Sequence, residues 1–297
     1  MIKKLKKKCK NIFKELKNEY ERIFTDLDER YIIPDNIWEI IKTILPIPEK
    51  KTKKGAPRTH DYPIITAIFY VMRTGCQWSA IPRCLPPKST VFDRFQYWVK
   101  AGFFFYLWQK GVWAYEEEQG VQWEYQSMDG AQVQAPLGGT GTGPAYKFRG
   151  KTGTTRSLLT DARGIPLALH IGAANINDFK LAEKTLKSFV IERPNPDIIK
   201  QHMCLDKGYD YPEIDILVAS YHYIEHIQRK GESINQIEIP HLYEPKRWVV
   251  ERTHAWMNSF RRVMIRWERK SENYFAFLAF SCAWISFRAA GIIAPFK

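Results

Sequence analysis

The chain has 297 residues, 45% of them hydrophobic and 14% aromatic, enough apolar material for about two folded domains and too much for a disordered protein. Its formal net charge of +13 favours an anionic partner, and because the excess is spread along the chain, that partner is nucleic acid rather than a membrane. The 5 cysteines include no CxxC pair, which argues against structural zinc and redox chemistry and leaves reduced, mostly buried thiols.

Residues 1–30 spell a basic amphipathic helix or tail, with Ile12, Phe13, Leu16, Tyr20 and Ile23 on one side. They lack the continuous apolar core of a signal peptide. A helical stretch fills 31–118. Asp35 can cap a helix that Pro46 stops, and "DYPIITAIFYVMRTG" is a second helix ending at Gly75. A short connector leads to "STVFDRFQYWVKAGFF", where Thr90 and Asp93 resemble a capping box. Helix, connector and helix, with Arg94, Gln96 and Lys100 expected at the surface, are compatible with a helix-turn-helix DNA reader. Many such helical pairs read nothing, so the pattern leaves both readings open.

After "EEEQG" the period changes, and 121–290 reads as a second domain. "WEYQSMD" is strand-like. "TRSLLTDARGIPLALHI" is a hairpin turning at Asp161-Ala162-Arg163-Gly164. Asp178 starts a helix, a strand ends at Asp206, "YPEIDILVAS" is a helix, "YHYIEHIQ" a strand, and "KRWVVERTHAWMNSFRRVMIRW" a strong helix. This order describes an α/β domain, a mixed sheet covered by helices. The apolar run 274–287 is shorter than the roughly 20 residues that span a bilayer, so it is expected to be a buried helix and the protein cytoplasmic.

"FRGKTGTTR" tempts a phosphate-loop reading. That motif needs a glycine five residues before Gly150, where Ala145 stands, and a helix after it, where a hairpin follows. No nucleotide cofactor is expected. What remains is a basic loop with Lys147, Arg149, Lys151 and Arg156, either an ordinary surface loop or a contact to the DNA backbone.

Three acids stand out by position: Asp129 and Asp206 at strand ends, and Glu251 on the strong helix. Adjacent strand ends bring two carboxylates together, a flanking helix adds a third, and an all-oxygen cluster suits Mg²⁺ or Mn²⁺. Two such ions support phosphodiester chemistry. On the helix, Val249, Trp256, Phe260 and Val263 form an apolar face, and Glu251 points away from it with Arg247, His254, Asn258 and Arg262. Spacing alone leaves that second face either a solvated surface or the wall of a cleft.

The pieces "MDGAQVQAP", "GKTGTTRSLLTDARGIPLALHIGAANINDFK", "LDKGYDYPEI" and "RWVVERTHAWMNSFRR" resemble, in order, the insertion-sequence transposases of the IS5 group within the IS4-like DDE class. Residues 33–104 resemble the helical domain that precedes their catalytic core. The resemblance implies an RNase H-like mixed five-stranded sheet flanked by helices, preceded by an all-α helix-turn-helix-like domain. It maps the DDE triad, as catalytic and metal-binding residues, onto Asp129, Asp206 and Glu251. It further implies two Mg²⁺ or Mn²⁺ ions, double-stranded DNA partners in the form of terminal inverted repeats and target, a homodimer in the synaptic complex, and an address on the bacterial nucleoid. Lys207, Arg247, Arg252, Asn258 and Arg262 then join the basic loop, Arg94 and Lys100 as expected DNA contacts. Some positions depart from the pattern. Thr155 and Asn258 stand where relatives carry lysine, Asn177 where they carry histidine, Ser259 where they carry arginine, and Tyr243 is one residue out of register. These departures keep two other readings in play: a DNA-binding derivative that no longer cuts, and a stand-alone nuclease.

Overall fold

The computed structural model describes residues 24, 26–47, 57–227, 229 and 248–294, so the expected N-terminal helix and Arg247 lie outside the described residues. The chain forms two compact units, residues 1–101 and 102–297.

In the first unit, α1 (Asp35–Ile44) follows Pro34 and buries Ile37, Trp38 and Ile41 on one face. Leu45 leaves the helix because a residue preceding proline disfavours the α conformation. Helix α2 (Asp61–Thr74) is buried on nearly every side and forms the unit's centre. Helix α3 (Lys88–Lys100) buries Val91, Phe95 and Trp98 at one-turn spacing. It starts two residues before Thr90, because Pro87 already sets the extended entry, and the expected Thr90 cap is not used. Arg94 is a second departure. Its side chain is only 13% exposed and, with Arg58, it pairs with Asp61. It ties α3 to α2 and is turned away from the surface on which a DNA contact was expected. Lys100 is exposed.

The second unit begins with α4 (Phe103–Gln119), which was expected to belong to the helical domain. The helix instead packs along α9 (Ser271–Ala289), whose length is buried on almost all sides. Trp108 fixes the arrangement by donating its indole N–H to the Pro166 carbonyl at 3.0 Å. The apolar run at 274–287 therefore lies in a buried helix, and no helix among the described residues is long and apolar enough to cross a membrane.

The sheet comprises β1 (Tyr125–Gln134), β2 (Gly143–Pro144), β3 (Thr152–Asp161), β4 (Pro166–Ala173), β5 (Gln201–Leu205) and β6 (Tyr223–Ile227). Its five main strands run in the order β4-β3-β1-β5-β6, and the two-residue β2 joins the edge of β3. β3 and β4 are antiparallel to their neighbours on one side of β1, whereas β5 and β6 are parallel on the other. The parallel pairs require crossovers, which α5 (Phe179–Leu186) and α6 (Pro212–Ser220) supply. This is the mixed, RNase H-like sheet. Helices α7 (Trp248–Asn258) and α8 (Arg261–Met264) complete the unit, with α7 lying against β1 and β3. The hairpin turns where expected: Gly164 has φ +85° and donates to the Asp161 carbonyl. Gly150-Lys151-Thr152 leads straight into β3, with no helix to face a nucleotide phosphate.

Candidate active site

Pairing register brings the first two acids together. The parallel ladder between β1 and β5 ends at Ser127 opposite Cys204. Two residues further along each chain stand Asp129 and Asp206, near enough for the Asp206 charge to act on Asp129, as period-two alternation from a shared register leads one to expect. Asp129 is not at the end of β1, as expected. β3 keeps pairing with β1 as far as Gln134, so Asp129 lies mid-strand, just past the end of the parallel edge. Asp206 caps the short turn Lys207–Tyr209, its Oδ1 accepting the Gly208 amide at 2.8 Å. That bond holds the carboxylate at the mouth of the sheet.

The third acid arrives on α7, which is pinned across the β3–β4 turn. Thr253 Oγ1 donates to the Gly164 carbonyl at 2.7 Å, and Arg252 Nη2 donates to the Arg163 carbonyl at 2.7 Å. A Cβ on Gly164 would sit 2.7 Å from Thr253 Oγ1, so glycine permits the approach. The buried stripe of α7 is Val249, Val250, Thr253, His254 and Met257. The expected face was partly misplaced: Trp256 is half-exposed, and His254 is inside. His254 lies near the Asp129 main chain, yet neither ring nitrogen has a partner in hydrogen-bond geometry, and burial pushes the imidazole down to about 3. Glu251, one turn before, is exposed and near enough for its charge to act on Asp129.

Charge accumulates here. Burial, and then the carboxylates of Asp206, Asp178 and Glu251, push the Asp129 carboxyl up to about 7, against a donor bond from the Gly130 amide. Burial and the Asp206 carboxylate push Asp178 up to about 6. The fully buried phenol of Tyr209 is driven far upward by burial and by the charges of Asp178, Asp129 and Asp206. A cation would relieve this repulsion. Among the described residues, no group of three His, Cys, Asp or Glu side chains is gathered tightly enough to enclose an ion unaided. A magnesium-type ion needs no such enclosure, because it keeps water and substrate phosphate in its shell beside one or two carboxylates. A cleft of about 930 Å³ opens beside the acids, lined among others by Tyr146, Arg149, Asn177, Asp178, Gly208 and Tyr211.

The expected DNA contacts divide. Lys147, Arg149, Lys151 and Lys207 are exposed, and Arg149 lines the cleft. Arg156 is not on the loop. It lies within β3 at 1% exposure and donates to Asn258 Oδ1 at 3.0 Å, so both residues join α7 to the sheet. Arg262 is likewise buried, in an ion pair with Glu268 at 2.6 Å. Arg252 lies 4.6 Å from the ring centres of both Trp248 and Trp256, half-buried in a cation–π stack. Thr155, where relatives carry lysine, is also fully buried. Alternation within β3 gave no warning, because this strand is covered on both faces. Sequence reasoning missed Asp178 and Tyr209 at the site. An aspartate before a helix reads as a cap, and a tyrosine after a strand as core.

Residues 126–285, which hold all three acids, match the family described as "Transposase DDE domain", and residues 33–108 match "Putative transposase of IS4/5 family". A relative from Burkholderia cepacia, "Putative transposase for insertion sequence element IS402", is 33% identical over 153 residues, 48% of this chain and 67% of the relative. Among solved structures, the Mos1 mariner paired end complex with Mn aligns over 90% of this chain and 92% of its own at 9% identity. Its TM-score of 0.26 is too low to carry an argument. With the acid-bearing sheet and both family matches in agreement, the chain belongs to the DDE transposases of the IS4/5 family, enzymes of the polynucleotidyl transferase type.

Proposed function

We propose that the protein binds the terminal inverted repeats of its insertion sequence, cuts at the element's ends and joins them to target DNA, with Asp129, Asp206 and Glu251 as the catalytic carboxylates. One observation carries this reading: Asp129 and Asp206 each follow the last β1–β5 pair by two residues, in a nest of carboxylates whose mutual repulsion calls for divalent cations. Asp129, Asp206 and Glu251 would hold two Mg²⁺ or Mn²⁺ ions, which neutralise developing phosphate charge when bound.

The chain's own residues do the positioning. Asp206 is oriented by the Gly208 amide, and Glu251 is carried on a helix locked to the hairpin turn. The exposed Lys147, Arg149, Lys151 and Lys207 supply the phosphate grip that aligns a strand over the acids. In the first step water attacks the scissile phosphorus, the bond to the 3′ oxygen breaks, and that oxygen takes a proton as a free 3′-hydroxyl. In the second step this hydroxyl attacks a target phosphorus and displaces the target's own 3′ oxygen. A homodimer holding both ends completes the scheme.

The reading is tested with DNA carrying the repeats that flank the gene. Wild type should cut and join in Mg²⁺ or Mn²⁺, and Asp206→Ala should abolish joining while still shifting repeat DNA. Cutting without joining would replace the proposal with a nuclease. Binding without either reaction would replace it with a non-catalytic DNA-binding protein.

A further inference from the structure

Asp178 occupies the N-cap of α5, the position where an aspartate ordinarily accepts a backbone amide of the first turn. It makes no such bond. Its carboxylate is turned instead onto Gly130, the residue after Asp129. A Cβ on Gly130 would lie 2.2 to 2.5 Å from the Asp178 Cγ and both carboxylate oxygens. Gly130 is thus the opening through which this carboxylate reaches the face of β1 beside Asp129. The other side of Asp178 borders the cleft, together with Gly208, the residue whose amide orients Asp206. An aspartate that gives up helix capping to sit among other acids is unfavourable in the isolated chain. Its placement makes physical sense when a cation is shared.

An independent observation lies beneath the same acids. Tyr209 is wholly buried near Ser157, its hydroxyl has no partner in hydrogen-bond geometry, and the carboxylates of Asp178, Asp129 and Asp206 all act on it. A buried hydroxyl without a well-made bond is costly, and the water shell of an ion held by these acids would complete its bonding.

We propose that Asp178 is a fourth carboxylate of the cation site, acting with Asp129 and Asp206 in holding the divalent ions. This rests on the catalytic reading above, and the experiment separates the two. Mn²⁺ is titrated into the full chain without DNA, and free Mn²⁺ is followed by electron paramagnetic resonance, for wild type, Asp178→Asn and Asp206→Asn. Thermal melting of the metal-free proteins at pH 8 is measured in parallel. Both variants should weaken Mn²⁺ binding by about tenfold or more. Asp178→Asn should also melt higher than wild type without metal, because it removes a repulsive charge and no cap. A merely structural aspartate would melt lower. If Asp178→Asn binds Mn²⁺ as wild type while Asp206→Asn does not, Asp178 stands outside the site and only this inference falls. If both bind as wild type, the acid site itself is wrong. Should Asp178→Asn lose its fold by circular dichroism, Asp178→Ser, which keeps a capping side chain, gives the same test.

Discussion

A carboxyl held at about 7 makes Asp129 a pH-dependent weakness of the metal-free protein. The unfolded chain ionises this group near 3.8, so between that value and about 7 the folded state retains a proton that the unfolded state has released. Stability therefore falls as pH rises through this window, by on the order of 4 kcal/mol at most, and levels off above it. The metal-free protein should melt at a lower temperature at pH 8 than at pH 5.5, with Mn²⁺ raising the melting temperature more at pH 8. An equal effect at both pH values would mean that Asp129 does not face the cation. The basic residues make a second contrast. Replacing Lys147, Arg149 or Lys151 by Gln should reduce the salt slope of DNA binding by about 0.9 for each lost phosphate contact. The buried Arg156→Gln should leave that slope unchanged. A matching loss at Arg156 would place it on the surface in solution.

Among the elements, α4 matters most for the catalytic unit. Its Trp108 is fully buried and bonded to Pro166, so Trp108→Ala should cost about 3–5 kcal/mol in denaturant unfolding. A loss below 1 kcal/mol would show that the α4–α9 packing is not what holds β4. The strands and helices of the catalytic unit were legible because each has a strong local signature: the Asp-Ala-Arg-Gly turn, the helix after Tyr211, the all-round apolar α9. Long-range facts were not legible. The direction in which the carboxylate of Asp178 leaves its helix depends on Gly130, 48 positions earlier, and the burial of Arg156 depends on α7 lying across β3. The triad was placed by resemblance. Position alone marked its residues as acids near strand ends, and one of those ends is in fact mid-strand.

At the scale of the molecule, the boundary between the units falls at 101/102 and not near 120. The linker-like "EEEQG" misled because a charged, exposed helix end looks like a linker in sequence, while the preceding break, Ala101-Gly102, is only two residues between two helices. Phe103, Phe104, Leu107, Trp108, Val112 and Tyr115 of α4 are buried within the second unit. At about 1.5–3 kcal/mol for each large apolar side chain, their loss is as large as the stability of a typical domain. Residues 102–297 should therefore unfold cooperatively when produced alone, and residues 121–297 should not. A cooperative transition in the shorter fragment would return α4 to the first unit. The longer fragment should still bind Mn²⁺, because every acid of the site lies within it.

In a working transposase of this design, Asp129 and Asp206 share divalent cations. Anomalous scattering from crystals soaked in Mn²⁺ tests it most directly. A peak is expected between the two carboxylates in the wild-type protein and none in Asp206→Ala; a wild-type crystal with Mn²⁺ bound elsewhere and nothing between Asp129 and Asp206 would rule this sharing out.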